Sequence, residues 1–264
     1  MTLAAAAVSV LTTAEAAAKA AAGRAVAAAW RAGRIAEVGT ATAPDRPARP
    51  ARPELRPPRA VQRRSIGAAP KGRIALLHAL AHIELNAVDL AWDLIARFSG
   101  EGLPRAFFDD WVTVADDEAR HFALLTGRLA ALGAGYGDLP AHDGLWEAAH
   151  DTRHDLLARL AVVPLVLEAR GLDVTPAMIA KLESAGDADS AAVLRAINRD
   201  EIRHVAAGAR WFAWACARAG RPPAQTWRAL VAQNFKGVVK PPFNEAARRS
   251  AGLPPEVYRP LAGG

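Results

Sequence analysis

The chain has 264 residues, 33 basic against 27 acidic side chains, and a single cysteine, Cys216. One cysteine excludes an intramolecular disulfide and fits a reducing compartment, so a cytoplasmic setting is expected, with Cys216 as core packing. No run approaches the eighteen or so uncharged apolar residues of a membrane span, and no phosphate loop, Cys-x-x-Cys pair or nucleophile elbow is present.

Residues 1–38 are read as an N-terminal helical region. The alanine-rich start carries Glu15 and Lys19 and lacks the basic lead of a signal peptide. Thr12-Thr13-Ala14-Glu15 has helix-start chemistry, a threonine hydroxyl capping backbone N–H groups, so a helix is predicted over 12–32. Residues 39–73 are read as an extended arginine-proline arm. Between 44 and 73 lie eight Arg, one Lys, two acids and seven Pro, a net of +7, which leaves −1 for the rest of a chain whose total is +6. Proline fixes φ and removes a donor, so this stretch is predicted to be neither helix nor strand. It has no aromatic residue to stack on bases; wrapping across the protein's own helices is therefore favoured over nucleic-acid binding.

Residues 74–220 carry four helical patterns, A to D. Helix A reads Leu77, Ala81, Glu84, Val88, Ala91, Ile95 and ends before Ser99-Gly100-Glu101-Gly102. Helix B starts at Pro104 and reads Phe107, Trp111, Val114, Glu118, His121, Leu125. Helix C follows His154, Leu157, Ala161, Pro164, Glu168; Pro164 should free the carbonyl of Leu160 and bend it, and Gly171 should end it soon afterwards. Helix D reads Leu194, Ile197, Glu201, His204, Gly208, Trp211. Residues 221–264 are read as a C-terminal extension with helices near 224–235 and 243–250. Apolar residues at alternating three- and four-residue spacing define a buried stripe, and the acids Glu84, Glu118, Glu168 and Glu201 all fall in its phase.

Two copies of one pattern stand out: Asp117-Glu118-Ala119-Arg120-His121 and Asp200-Glu201-Ile202-Arg203-His204. Glu and His three apart on a helix lie one turn apart on one face, so an oxygen and an imidazole nitrogen can close on one metal ion. A single Glu-x-x-His arises readily by chance as a solvated or salt-bridged pair. Two copies, each preceded by a core-phase glutamate 34 or 33 residues earlier, point to metal. Glu84 and Glu118 each stand 14 residues from the turn between helices A and B, at about 1.5 Å per residue roughly 21 Å from it, so antiparallel neighbours bring them level. The same depth argument does not carry over to Glu168, for which Glu147 is the alternative. An ionised carboxylate buried without a partner is too costly to keep, so four such glutamates with two histidines call for cations.

These residues, with His82-Ile83-Glu84-Leu85-Asn86-Ala87 and Leu167-Glu168-Ala169-Arg170-Gly171-Leu172, resemble the ferritin-like superfamily and its uncharacterised domain-of-unknown-function branch over about residues 10–250. The resemblance implies an all-α four-helix bundle with Glu84, Glu118, His121, Glu168, Glu201 and His204 as ligands of two Fe ions, with Mn or mixed Mn/Fe compatible with the same donors. The Asp-Glu-x-Arg-His form is similar to bacterial di-iron monooxygenases, which implies that Asp117 and Asp200 support a ligand histidine by accepting its other N–H; the alternative for both is ordinary exposed helix charge.

The function expected is an O2-dependent oxidase or hydroxylase of a small molecule whose identity the sequence does not give. Iron storage, tRNA-modifying hydroxylation and a non-catalytic metal-stabilised binding module are the alternatives. Gly208, one turn beyond His204, and the bend at Pro164 lead us to expect an apolar substrate pocket beside the ions, closed if Gly208 merely lets two helices touch. His78 and His82 are expected to be packing or surface histidines, His142, His150 and His154 lie too far from the ligand layer, and Trp92, Trp111, Trp211 and Trp214 are expected to anchor the core.

Overall fold

The structure is a computed structural model that describes residues 1–57, 60 and 70–262. Among these residues the fold is all-α, and the one β contact is an isolated bridge between Leu55 and Ala141. The chain divides into two compact units, Met1–Gly144 with Ala185–Val193, and Leu145–Ser184 with Leu194–Gly264.

In the first unit, α1 (Leu3–Leu11) and α2 (Ala16–Arg31) replace the single helix expected over 12–32. The threonines end a helix rather than start one: the Thr12 and Thr13 hydroxyls donate to the carbonyls of Val8 and Ser9 and close α1. Glu15 is the cap of α2, its carboxylate accepting from the N–H groups of Ala17 and Ala18. A short polar side chain that can bond backward to i−4 carbonyls or forward to N–H groups fits either end, so sequence did not determine the direction. α1 packs on α3 (Pro70–Arg97) and α2 on α4 (Arg105–Ala131), while α3 and α4 pack on each other through a short turn. α2 approaches α3 at Gly23, where a Cβ would stand 2.9 Å from the Trp92 indole nitrogen.

α3 is buried on two faces. Its apolar stripe Leu77, Ala81, Val88, Ala91, Ile95 is 0–3% exposed. A second stripe at the same helical spacing, His78, His82, Asn86, Asp89, Asp93, Arg97, is polar and almost as deeply buried. By length and composition α3 could cross a membrane, yet 72% of its apolar window is buried inside the protein. The polar stripe is satisfied by α2, by the arm and by the loop after α4. Lys19 of α2 donates to Asp89 at 2.5 Å and to the Ala48 carbonyl at 2.7 Å. Arg49 reaches Asn86 at 2.8 Å and Asp89 at 3.2 Å, and Arg97 holds the Pro44 carbonyl at 2.9 Å. The described part of the arm, 44–57, is thus extended and bound to its own unit, with Arg46 on Asp143 at 2.8 Å. Residues 58, 59 and 61–69 of the arm lie outside the described residues, and 70–73, expected to be extended, instead form the first turn of α3, where Pro70 at the helix start has no N–H to leave unpaired.

In the second unit, α5 (Gly144–Asp151) and α6 (Leu156–Val162) lead into a π-helical turn, Val163–Glu168, that continues as α7 (Ala169–Ser184). Pro164 has no N–H for the Leu160 carbonyl, and the chain widens into a π turn at that point. The Trp227 indole N–H donates to the Ala161 carbonyl at 3.2 Å. Contrary to expectation, Gly171 does not end the helix, which runs through Pro176. Pro176 removes the donor for the Leu172 carbonyl, and the Asn244 side-chain amide supplies one at 3.2 Å. Replacing Asn244 by Ala is expected to cost about 1–2 kcal/mol in urea denaturation, because that carbonyl loses its donor and α10 (Glu245–Ser250) its cap. α8 (Ala188–Arg218) begins in the first unit and runs into the second; α9 (Pro223–Asn234), α10 and α11 (Pro255–Tyr258) follow.

Candidate metal centre

In the first unit the α3–α4 turn brings three of the expected ligands together. Glu84, Glu118 and His121 are 5%, 1% and 0% exposed. His121 Nδ1 stands 3.2 Å from Glu84 Oε2 and 3.4 Å from Glu118 Oε2. Each offers a ligand atom, and those atoms lie within 4.8 Å of one another.

Burial, and then the negative charge of Glu118, raises the Glu84 carboxyl well above its usual range. Burial opposes the imidazolium of His121, but hydrogen bonds to Glu118 and Glu84 and their charges outweigh it and push that group up to about 11. In protein alone, the cluster is therefore held by protons. Two carboxylates and an imidazole aimed at one point suit a divalent cation, which would take over the neutralising role; the donor set fits iron, manganese or zinc.

In the second unit the other motif forms its own pair, with His204 Nδ1 3.5 Å from Glu201 Oε1 and the His204 side chain 2% exposed. Glu168 is the last residue of the π turn, half-buried. A π turn rotates every later side chain relative to a regular helix, which is why spacing along the sequence could not place Glu168. Glu147, the alternative to it, is exposed on α5. Asp117 pairs with Arg120 at 2.9 Å and Asp200 with Arg203 at 2.8 Å, so the repeated Asp and Arg of the motif bind each other along the helix in both copies.

His78 and His82 are buried but serve the loop after α4. The His82 Nε2 donates to the His142 carbonyl at 3.2 Å, which leaves Nδ1 to accept from the Tyr136 hydroxyl at 2.8 Å. Burial, then the charge of Arg49, lowers the His82 pKa to about 3, so it works as a neutral ring. His78 Nε2 accepts from the Gly137 N–H at 2.9 Å. Tyr136 stacks on both histidines and meets the edge of Phe122, the neighbour of His121, at 5.2 Å. The sequence reading missed this support; its signal was the four-residue repeat His78, His82, Asn86 running beside the apolar stripe.

The expected pocket at Gly208 is corrected. A Cβ there would lie 2.4 Å from Cβ and 2.7 Å from Cγ of Pro164, so the proline ring occupies the space that the missing side chain leaves. Gly208→Leu is accordingly expected to destabilise by overpacking, about 1–3 kcal/mol or more, rather than to fill a cavity; thermal denaturation reads this directly.

Residues 12–259 match the protein family of unknown function DUF455, and the chain belongs to that family. An uncharacterized protein of Haemophilus influenzae is 42% identical over 207 residues, covering 74% of this chain and 69% of the relative. No solved structure matches the chain.

Proposed function

We propose that this member of the DUF455 family is a dinuclear metal carboxylate protein of ferritin-like type. Glu84, Glu118 and His121 would hold one ion, and Glu168, Glu201 and His204 the other, with Asp117 and Asp200 orienting the histidines. The observation that carries the reading is the buried Glu84–Glu118–His121 cluster, in which burial and then the charge of Glu118 keep Glu84 from ionising, and a divalent cation would let both acids ionise beside a neutral imidazole. Support for a second ion comes from the repeated motif on α8.

Two ferrous ions would supply the electrons for reducing O2, the chemistry of an oxidase or hydroxylase. The chain's own contribution is to keep the imidazoles aimed through Nδ1, to hold the carboxylates dry, and to brace α3 through the His78–His82–Tyr136 contact. The packing of Pro164 into Gly208 favours a second reading, a metal site that stabilises the fold without an organic substrate beside it.

Anaerobic reconstitution with ferrous iron, followed by O2 and optical and Mössbauer spectroscopy, separates the two. Two irons per chain that oxidise together support the redox reading. Two ions that bind and raise the melting temperature without reacting assign the structural one. No bound metal overturns both.

A further inference from the structure

The near-neutral balance outside the arm conceals an uneven distribution. The first unit holds 17 basic and 17 acidic side chains, the arm included, whereas the second holds 16 basic and 10 acidic. Much of that excess lies along one face of α8. Arg199, Arg203, Arg210, Trp214 and Arg218 fall within about 100° of one another at 3.6 residues per turn, on a line of roughly 28 Å. The Arg199 and Arg203 side chains are 72% and 58% exposed; Arg210 and Arg218 are also exposed, and Trp214 is half-buried. No Asp or Glu between 194 and 221 is exposed, since Asp200 is buried and Glu201 half-buried. Glu201 lies roughly 150° around the helix from the middle of this face.

The aromatic residue is what separates this face from an ordinary solvated stripe. The Arg218 guanidinium lies over the Trp214 ring at 5.5 Å, and Trp211 meets Trp214 edge to face at 5.8 Å. Trp211 is anchored in the core at 5% exposure, so Trp214 has a rigid backing. Asp200 holds Arg203 at 2.8 Å, which limits the motion of a side chain that is 58% exposed. A row of cations at one- and two-turn intervals matches a polyphosphate backbone, and a fixed indole layered with a guanidinium matches the flat face of an unpaired base.

We propose that the outward face of α8 docks single-stranded nucleic acid, with Arg203, Arg210 and Arg218 on phosphates and one base stacked on the Trp214–Arg218 pair. The proposal needs no ion, because none of Arg203, Arg210, Trp214 and Arg218 is a proposed ligand; its one link to the metal reading is Asp200, which holds Arg203.

The test is fluorescence anisotropy of the full chain with a labelled twenty-nucleotide RNA of mixed sequence, its DNA counterpart, heparin and phosphatidylserine vesicles, between 50 and 200 mM salt. Each cation withdrawn from a phosphate lowers the slope of log K against log salt by about 0.7, so Arg203→Gln with Arg210→Gln and Arg218→Gln should lower it by about 2. Trp214→Ala should weaken oligonucleotide binding about 5- to 150-fold and leave heparin binding unchanged. Photocrosslinking of 4-thiouridine RNA to the wild-type chain should label peptides from 203–218, which checks the surface without any variant. RNA and DNA binding alike support the face as a single-strand site, and preference between them names the source. Absence of binding at 50 mM salt, equal loss of heparin binding in Trp214→Ala, crosslinks confined to the arm, or tighter binding to vesicles than to oligonucleotides would each overturn it.

Discussion

Replacing Lys19 by Met is expected to destabilise the protein by about 3–5 kcal/mol, the range for removing one partner of a fully buried ion pair. Lys19 and Asp89 are both buried, and the 2.5 Å contact between them joins α2 to α3. Burial raises the Asp89 carboxyl and lowers the Lys19 ammonium, so each needs the other to remain charged. Without the lysine, Asp89 keeps Arg49 of the arm at 3.2 Å, and the Ala48 carbonyl loses its donor as well. The exposed pair Arg24–Asp116 is the control, where Arg24→Met should change stability by less than about 1 kcal/mol. Urea denaturation reads both, and Asp89→Asn added to Lys19→Met should recover part of the loss because no buried carboxylate then depends on Arg49 alone. A loss below that of the exposed control would mean that the network does not hold the fold. By the same logic, excising residues 44–57 should lower the melting temperature, since it removes Arg49 and the backbone partners of Lys19 and Arg97.

The second large effect is expected at the metal cluster and carries opposite signs in the two states of the protein. Glu118→Gln keeps the size of the side chain and removes the charge that, after burial itself, raises Glu84. The metal-free variant should therefore match or exceed wild-type stability, while the gain on adding Mn(II) or anaerobic Fe(II) should fall by the share of the ion that Glu118 holds. For wild type that gain is about 2.7 kcal/mol per bound ion at a metal concentration one hundred times Kd. Adding Glu201→Ala should remove the remaining metal, read by elemental analysis after desalting. Full retention of the metal-induced shift in both variants would exclude these glutamates as ligands.

How far each feature was legible depends on how local its cause was. The meeting of Glu84, Glu118 and His121 follows from counting: a turn of fixed place and a constant rise per residue put both helices at equal depth. The turn between α3 and α4 and the C-terminal helices were readable for the same reason, as proline, glycine and apolar phase act within a few residues; the start of α3 was not, since it lies at Pro70 within the stretch read as arm. Thr12 and Thr13 were not, because a hydroxyl can close one helix or open the next, and Glu15 took the second role. Gly171 lies inside a helix because the contacts of α7, including Asn244 on the Leu172 carbonyl, outweigh the entropy cost of a glycine.

By itself the sequence determined an all-α chain, the repeated Glu-x-x-His motif, the extended start of the arm and the burial of the stripes through Glu84 on α3 and through Glu118 and His121 on α4, all of them periodic or compositional features. Tertiary structure alone decided the buried polar stripe of α3, whose charges are tolerable only because Lys19, Arg49 and the loop at Tyr136 arrive from distant positions. It decided the π turn that sets Glu168, and the filling of Gly208 by Pro164, since whether a missing side chain leaves a cavity depends on what packs against it. It also decided where the positive charge lies, because net charge counts residues without regard to which of them fold to the surface of one helix.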